Sequence, residues 1–289
     1  GLDKKMRITE THNMRLKITL ITSFVLLSLL ACMEQNKSTK MEDYINEIPL
    51  VDYVNPLMGT DSAFDLSNGN TYPAIATPWG MNFWTPMTSK MGDGWTFKYD
   101  ENKIRGIKQT HQPSPWLNDY AAFSLMAVTG DLKFEEEKRA SWFSHKAETA
   151  KPYHYKTYLA DYDTSVEVAP TERAAHFKFT FPDAEESFIL LDAFNNGSMV
   201  KIIPEERKII GYSRNNHGGV PKNFHNYFVA QFDKDFELYH TWGDGWELSE
   251  NSTVNEGDHV GAIIGFKTLR GAVSYTHLRA HETPEHLVC

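Results

Sequence analysis

HFKFTF, residues 176–181, alternates bulky aromatic with polar side chains. In an extended chain, Phe177, Phe179 and Phe181 fall on one face, and Lys178 and Thr180 fall on the other. Strict alternation of this kind is typical of a β-strand that buries one of its two faces. The stretch therefore predicts a sheet whose aromatic face packs against a core.

Further runs of strand character lie on both sides of this stretch. NYFVAQFD, residues 226–233, is apolar at most positions of both faces and predicts a strand buried on both sides. Helical periodicity is weak, and 133–146 is the only plausible short helix. Many short strands with few helices predict an all-β fold, a large antiparallel two-sheet β-sandwich. The predicted strands are 120–128, 166–169, 176–181, 188–191, 208–213, 226–232, 236–242 and 260–267.

Residues 52–118 have a different composition, rich in tryptophan, proline and glycine. Proline fixes φ and glycine permits positive φ, so ordered loops between short strands are expected here. Tryptophan offers an apolar face to a sugar ring and an N–H group to a hydroxyl. A loop-rich segment with these side chains suits a binding site, although each tryptophan could equally belong to the core. The four tryptophans are Trp79, Trp84, Trp95 and Trp116.

Composition and motifs exclude several classes of function. The chain has 289 residues and a net charge of −9, which argues against nucleic acid as a partner. Cys32 and Cys289 both lie outside the predicted body, so the body has no disulfide, thiol nucleophile or cysteine zinc site. The sequence also lacks HExxH, G-x-S-x-G and phosphate-loop motifs, and the histidines of the body show no metal-ligand spacing. No metal site is predicted in this part of the protein.

The first 49 residues resemble an export signal followed by a tether. Residues 1–13 are polar and patternless, which suggests upstream sequence read in frame. Residues 14–32 have a positive start, an apolar run over 18–31 and the ending Leu-Leu-Ala-Cys, as in a bacterial lipobox. Cys32 is the predicted lipidation site, and an ordinary leader with an incidental cysteine is the alternative. Residues 33–49 are polar and predict a tether to the membrane.

The last residues, 273–289, break the pattern of the body, which is predicted to span 50–272. They contain three histidines and show no pattern typical of a strand or of a core segment. A histidine-rich tail suggests metal binding, but this string resembles a translated sequencing adapter. We expect the natural chain to continue differently beyond residue 272, and resequencing the locus would test this.

The body contains six motifs in order: NPLMGT, NGNTYPAIATPWGM, THQPSPW, RASWFSHKAETAKPYHYKTYLADY, VEVAPTERAAHFKFTFP and GYSRNNHGGVPKNFHNYFVAQFD. Together they resemble glycoside hydrolase family 92, the calcium-dependent α-mannosidases. They occur in the family's order over about 52–272. The resemblance implies a two-sheet sandwich shared with galactose mutarotase, followed by a helical toroid domain that is missing here. That domain would carry the general acid, the general base and most calcium ligands, so no catalytic residue is expected in this fragment.

The resemblance further implies that the sandwich lends loops to the active site. Its candidate sugar contacts are Asp93 and Trp95 in GDGW and His111, Gln112 and Trp116 in THQPSPW. Carboxylate and amide groups bind hydroxyls, and indoles stack beneath sugar rings. A capped turn, a buried histidine or a core tryptophan is the structural alternative for each.

The implied function is removal of terminal α-linked mannose, with α-1,2 linkages expected, from glycans by inversion. The partners would be mannose-containing glycans and the missing catalytic domain. The protein would be a periplasmic or cell-surface lipoprotein that contacts the membrane through its lipid anchor alone. Two alternatives stay open: a stand-alone carbohydrate-binding lipoprotein, and a structural or interaction lipoprotein without a sugar role. The sequence downstream of the body would distinguish the carbohydrate-binding lipoprotein from the enzyme. Glycan binding by the body would distinguish the carbohydrate-binding lipoprotein from the structural one.

Overall fold

The computed structural model describes residues 48–61, 71–91, 96–111, 122–216, 218 and 220–282, with backbone alone for 277–282. Apart from short 3-10 turns, the described elements are strands. They are β1 (Phe83–Met87), β2 (Lys103–Ile104), β3 (Gly106–Thr110), β4 (Ser124–Thr129), β5 (Ser141–Trp142), β6 (Thr149–Lys151), β7 (His154–Leu159), β8 (Thr164–Pro170), β9 (Ala174–Thr180), β10 (Ala184–Asp192), β11 (Ser198–Ile203), β12 (Lys208–Ser213), β13 (Asn226–Phe232), β14 (Leu238–Gly243), β15 (Glu247–Glu250), β16 (Val254–Gly257), β17 (Gly261–Thr268) and β18 (Val273–Glu282).

The strands form two large antiparallel sheets and one small ribbon. The seven-stranded sheet has the order β1-β3-β4-β10-β17-β14-β15, and the nine-stranded sheet has the order β16-β11-β12-β13-β18-β9-β8-β7-β6. β2 and β5 make the ribbon. Pro86, which cannot donate a ladder hydrogen bond, lies in edge strand β1, where such a residue is tolerated. The predicted two-sheet sandwich is confirmed.

Aromatic side chains join the two sheets through the core. The ring of Trp84 in β1 packs edge-on against Phe177 in β9, with ring centroids 5.0 Å apart. Phe123, at the start of β4, packs against Phe228 in β13 at 4.6 Å. The three phenylalanines of HFKFTF are all buried, while Lys178 and Thr180 are partly exposed. The alternation seen in the sequence therefore does mark the core-facing side of the nine-stranded sheet.

Two local predictions are wrong. β13 has the predicted bounds but buries only one face, since Val229 is 38% exposed. On the same face as Val229, Tyr227 and Gln231 are only partly buried. Residues 133–146 form no helix: after one turn, in which Arg139 N donates to Glu135 O, the chain enters β5 and a 3-10 turn at His145–Ala147. The Arg139 side chain instead donates to Phe134 O and Arg105 O, which fixes an irregular path.

The expectation that residues 273–289 contain no strand is also wrong. β18 lies between β9 and β13 and pairs with both. The hydrogen bonds between paired strands join backbone groups and do not depend on the side chains. A segment without a typical strand pattern can therefore still occupy this position in the sheet. Two polar residues, Ser274 and Thr276, occupy buried positions of this strand. The adapter origin of the segment stays a prediction, which resequencing would test.

Residues Leu50–Tyr53 form a 3-10 helix at the start of the described chain. The predicted signal and lipidation site, 14–32 with Cys32, lie outside the described residues. No helix in the described part of the chain is long and apolar enough to cross a membrane.

Candidate functional site

The structure describes one of the five predicted sugar contacts. His111 directly follows β3 and is partly buried. Asp93 and Trp95 lie in 92–95, and Gln112 and Trp116 lie in 112–121, two segments outside the described residues. Whether the five side chains converge therefore stays a prediction. The surroundings of His111 and of Met91, which precede these two segments, are described.

Buried polar side chains surround the end of β3 beside His111. Thr110 is fully buried, and its hydroxyl lies 3.2 Å from the Tyr72 hydroxyl. Its neighbour Gln109 accepts a 2.9 Å hydrogen bond from the side-chain amide of Asn226 in the other sheet. Hydrogen bonds between buried polar groups fix orientation because a broken one leaves an unpaired group. They anchor the chain from which His111 emerges.

Asn82 belongs to the same region, next to β1, whose first residue pairs with Thr110. Its side-chain oxygen accepts a 2.7 Å hydrogen bond from the Trp84 indole, and the residue is 2% exposed. Its side-chain nitrogen has no hydrogen-bond partner among the described residues. A buried donor is costly without a partner, so Asn82 is a polar group that sequence reasoning missed near His111.

A buried charged triad of Arg139, Asp192 and His259 is the second polar feature. Asp192 accepts a 2.7 Å hydrogen bond from Arg139 Nη2 on one oxygen and lies 2.7 Å from His259 Nε2 with the other. Burial alone would raise the pKa of Asp192, but the charges of His259 and Arg139 outweigh it and hold that pKa well below its usual range. Its two partners therefore favour the ionised form of Asp192, which does not suit a general acid.

Trp246 covers this triad. The Arg139 guanidinium lies 5.9 Å from the indole centroid, and the His259 ring meets the indole edge-on at 4.7 Å. Trp246 itself stacks on the buried Trp242 at 5.9 Å. The apolar cover lowers the local dielectric, which strengthens the attraction between Asp192 and Arg139.

Glu136 connects the charged region to the GDGW segment. Its Oε1 accepts a 2.5 Å hydrogen bond from the backbone N–H of Met91, the residue directly before 92–95. Burial, followed by repulsion from Asp192, raises the pKa of Glu136. The segment that carries Asp93 and Trp95 thus begins from a position fixed by a largely buried carboxyl group.

Sequence reasoning did not identify this triad because its members are far apart along the chain. Asp192 is 53 residues from Arg139 and 67 residues from His259. The sequence did contain one indication. The motif RASWFSHK begins with Arg139, and an arginine beside apolar residues is a candidate for burial together with a carboxylate. Nothing in the sequence selected Asp192 from the other acidic residues.

The described residues offer no fit for calcium. They contain no group of three or more histidine, cysteine, aspartate or glutamate side chains that could hold a metal ion. Calcium needs six to eight oxygen ligands, and Asp192 is already paired with two cationic groups.

Known structures resemble the fold over most of its length. The first is an inverting family 92 mannosidase from Bacteroides thetaiotaomicron VPI-5482, with 42% sequence identity and a TM-score of 0.79 over 82% of this chain and 32% of that one. A family 92 α-mannosidase from Bacteroides thetaiotaomicron, solved with mannoimidazole, has 27% identity and a TM-score of 0.70 over 81% and 32% of the two chains. The chain thus spans about a third of the length of these relatives.

Sequence comparison points to the same family. No curated protein shows significant similarity to the chain. The profile of the glycosyl hydrolase family 92 N-terminal domain, however, matches residues 53–274. This range covers both large sheets up to the start of β18. The chain therefore belongs to glycosyl hydrolase family 92 and contains that family's N-terminal domain.

Proposed function

We propose that this chain is the N-terminal sandwich of an exo-α-mannosidase that removes terminal α-linked mannose from glycans by inversion. The supporting observation is its 42% identity, over 82% of its length, to a protein described as an inverting mannosidase. α-1,2-linked mannose is the proposed substrate, as the sequence resemblance implied.

In this proposal the sandwich supplies sugar contacts rather than the reacting carboxylates. Asp93, Trp95, His111, Gln112 and Trp116 would line the sugar site from two loops. The anchored ends of these loops support the role, since Thr110 is held by buried hydrogen-bonding groups and Met91 is held by Glu136. A rigid support is what a binding loop needs to keep its contacts in place.

The acid and base would lie in the further part of the full-length protein. An inverting glycosidase needs two carboxyl groups roughly 6.5–9.5 Å apart with room for a water molecule. Of the carboxyl groups described above, Asp192 is paired with Arg139 and His259, and Glu136 accepts the Met91 N–H. We place the acid, the base and the calcium ligands in a helical domain that follows the sandwich.

The test is mannosidase activity of the protein produced from the complete gene. With calcium present, it should hydrolyse an aryl α-mannoside, whereas residues 33–289 alone, which contain the sandwich, should not. Trp116→Ala and Trp95→Ala should each lower kcat/KM by about tenfold or more, which corresponds to about 1.4 kcal/mol of transition-state binding. Trp142→Ala, at an exposed indole in the small ribbon, is the matched control and should leave activity unchanged.

Two results would contradict the proposal. Hydrolysis by the sandwich alone would show that its own residues carry the chemistry. A complete gene that ends after the sandwich, with a product that binds mannose glycans without cleaving them, would favour the carbohydrate-binding alternative.

A further inference from the structure

The turn Thr77–Gly80 holds a tryptophan in an unusual backbone conformation. Gly80 N donates a 3.0 Å hydrogen bond to Thr77 O, with Pro78 and Trp79 in the central positions. Trp79 has a φ of 61°. Proline followed by a residue with positive φ is the geometry of a type II turn, in which glycine or asparagine is usual at that second position. A bulky side chain there is strained and needs a compensating interaction.

Two other aromatic residues with positive φ have such a compensation. Phe194 has a φ of 62° and is 1% exposed within a buried cluster. Trp246 has a φ of 64° and stacks on Trp242 while covering Arg139. Trp79 differs from both because it is 99% exposed. Within the described part of the chain, packing does not compensate the strain at Trp79.

The Trp79 turn is nevertheless firmly attached to the nine-stranded sheet. Ala76 N donates to Pro152 O at 2.8 Å, and Met81 N donates to Glu172 O at 2.7 Å. These two carbonyls lie in the connections between β6 and β7 and between β8 and β9. A side chain at Gly80 would approach the Thr77 hydroxyl oxygen to 2.9 Å and the Thr77 carbonyl oxygen to 3.1 Å, so the turn is tightly packed there. The indole is therefore presented to solvent by a fixed support.

Other apolar side chains are exposed beside this turn. Met81 is 51% exposed, and Tyr153, next to Pro152, is 45% exposed. We call Trp79, Met81 and Tyr153 the Trp79 patch. Tryptophan, tyrosine and methionine are enriched in the centres of protein–protein interfaces, where tryptophan and tyrosine often contribute most of the binding energy.

We propose that the Trp79 patch is the docking surface for the larger remaining part of the full-length protein, with Trp79 as the anchor. This inference rests on the proposed function. The occupant follows from the lengths of the relatives, because the matched region is only 32% of the chain of the inverting mannosidase. More than two thirds of that polypeptide is therefore available to cover an apolar surface of the sandwich. A methionine beside the indole favours protein over sugar, since a thioether offers a hydroxyl little hydrogen bonding.

The test compares Trp79→Gly in residues 33–289, which keep the central strand β18, and in the complete gene product. Glycine adopts positive φ without strain, so in the sandwich alone the substitution should raise the thermal midpoint. In the complete protein it should lower the midpoint, because the anchor is lost. Trp142→Gly is the control for loss of an exposed indole. Its effect on the thermal midpoint should have the same sign in the two proteins. An equal rise for Trp79→Gly in both proteins would overturn the proposal.

Hydroxyl-radical footprinting with mass spectrometry gives an independent readout. Trp79 and Met81 should be oxidised readily in the sandwich alone and at least about fivefold more slowly in the complete protein, as expected for a buried interface centre. Protection of the sandwich by a mannose oligosaccharide, or by raising its own concentration, would instead indicate a sugar site or self-association and overturn the proposal.

Activity and footprinting of the same samples test the proposed function and the docking surface separately. If the complete protein hydrolyses an aryl α-mannoside while Trp79 stays accessible, the docking surface is wrong and the proposed function survives. If the complete protein is inactive although Trp79 is protected, the docking surface survives and the proposed function fails.

Discussion

Asp192 and Arg139 form an ion pair of 2.7 Å in which the two side chains are 2% and 0% exposed. The same aspartate binds His259, and the same arginine donates to Phe134 O and Arg105 O. One buried anion thus connects β10, the start of β17 and the irregular segment before β5. This arrangement is costly to break from either side, because the surviving charge would remain in an apolar environment.

Asp192→Asn should therefore destabilise the sandwich strongly. Neutralising the carboxylate leaves Arg139 buried without its counter-ion, and the expected loss in free energy of unfolding is about 3–5 kcal/mol. Urea denaturation followed by tryptophan fluorescence would measure it. Lys267→Met breaks the exposed pair with Glu185 and should have little effect. Similar losses for both substitutions would contradict a special role for the buried pair.

Stability should also depend on pH through His259. Burial alone would lower the pKa of His259, but the charge of Asp192 outweighs it and raises that pKa. A raised pKa in the folded state adds stability that is fully present below the unfolded value of about 6.5 and is lost as pH rises through the folded pKa. Arg139 and Glu136 also act on this histidine, with opposite signs.

The measurement is the urea midpoint of the wild type and of His259→Gln from pH 6 upward. The wild type should lose stability over this interval relative to the variant, which has no titrating group at this position. Parallel profiles for the two proteins would show that folding does not raise the pKa of His259.

β18 allows a stabilising substitution to be predicted. Thr276 is fully buried, and its hydroxyl has no hydrogen-bond partner among the described residues. Thr276→Val has nearly the same shape and should raise the free energy of unfolding by about 1 kcal/mol. Ser274→Ala is the contrasting variant, because its hydroxyl lies 3.2 Å from Asp233 Oδ1 and its loss should destabilise by about 1 kcal/mol. Destabilisation by Thr276→Val would contradict the assignment of β18 as a core strand.

The export prediction has a simple chemical test. Expressed in a bacterium with its leader, the protein should incorporate radiolabelled palmitate at Cys32, and Cys32→Ser should abolish the label. Cys289→Ser is the matched control, since it removes the only other cysteine and should leave labelling intact. Equal labelling of the Cys32 and Cys289 variants would exclude a lipobox at Cys32.

The fold was predictable where burial follows a local pattern. Alternation along the sequence shows that Phe177, Phe179 and Phe181 share one face of their strand. Every predicted strand also overlaps a strand of the structure. β13 was misjudged because Val229 is apolar but exposed, and its side-chain type does not reveal what covers it. Residues 133–146 were misjudged because Arg139 takes its partners from Phe134, Arg105 and Asp192, which local periodicity cannot show.

The candidate site was less predictable than the fold. His111 was chosen for its chemistry and motif, and the structure adds that it leaves an anchored strand end beside buried Thr110. The charged triad depends on contacts between residues more than 50 positions apart, so it needed a three-dimensional structure. The strain at Trp79 was equally hidden, because TPWG gives no sign that its tryptophan is exposed.

The central claim is that this sandwich belongs to an enzyme that cleaves α-mannosides with inversion. The most direct measurement is proton NMR of the first sugar released from an aryl α-mannoside by the complete gene product. We predict β-mannose, which then mutarotates slowly to the equilibrium mixture. Release of α-mannose first, or no release of mannose at all, would contradict the claim.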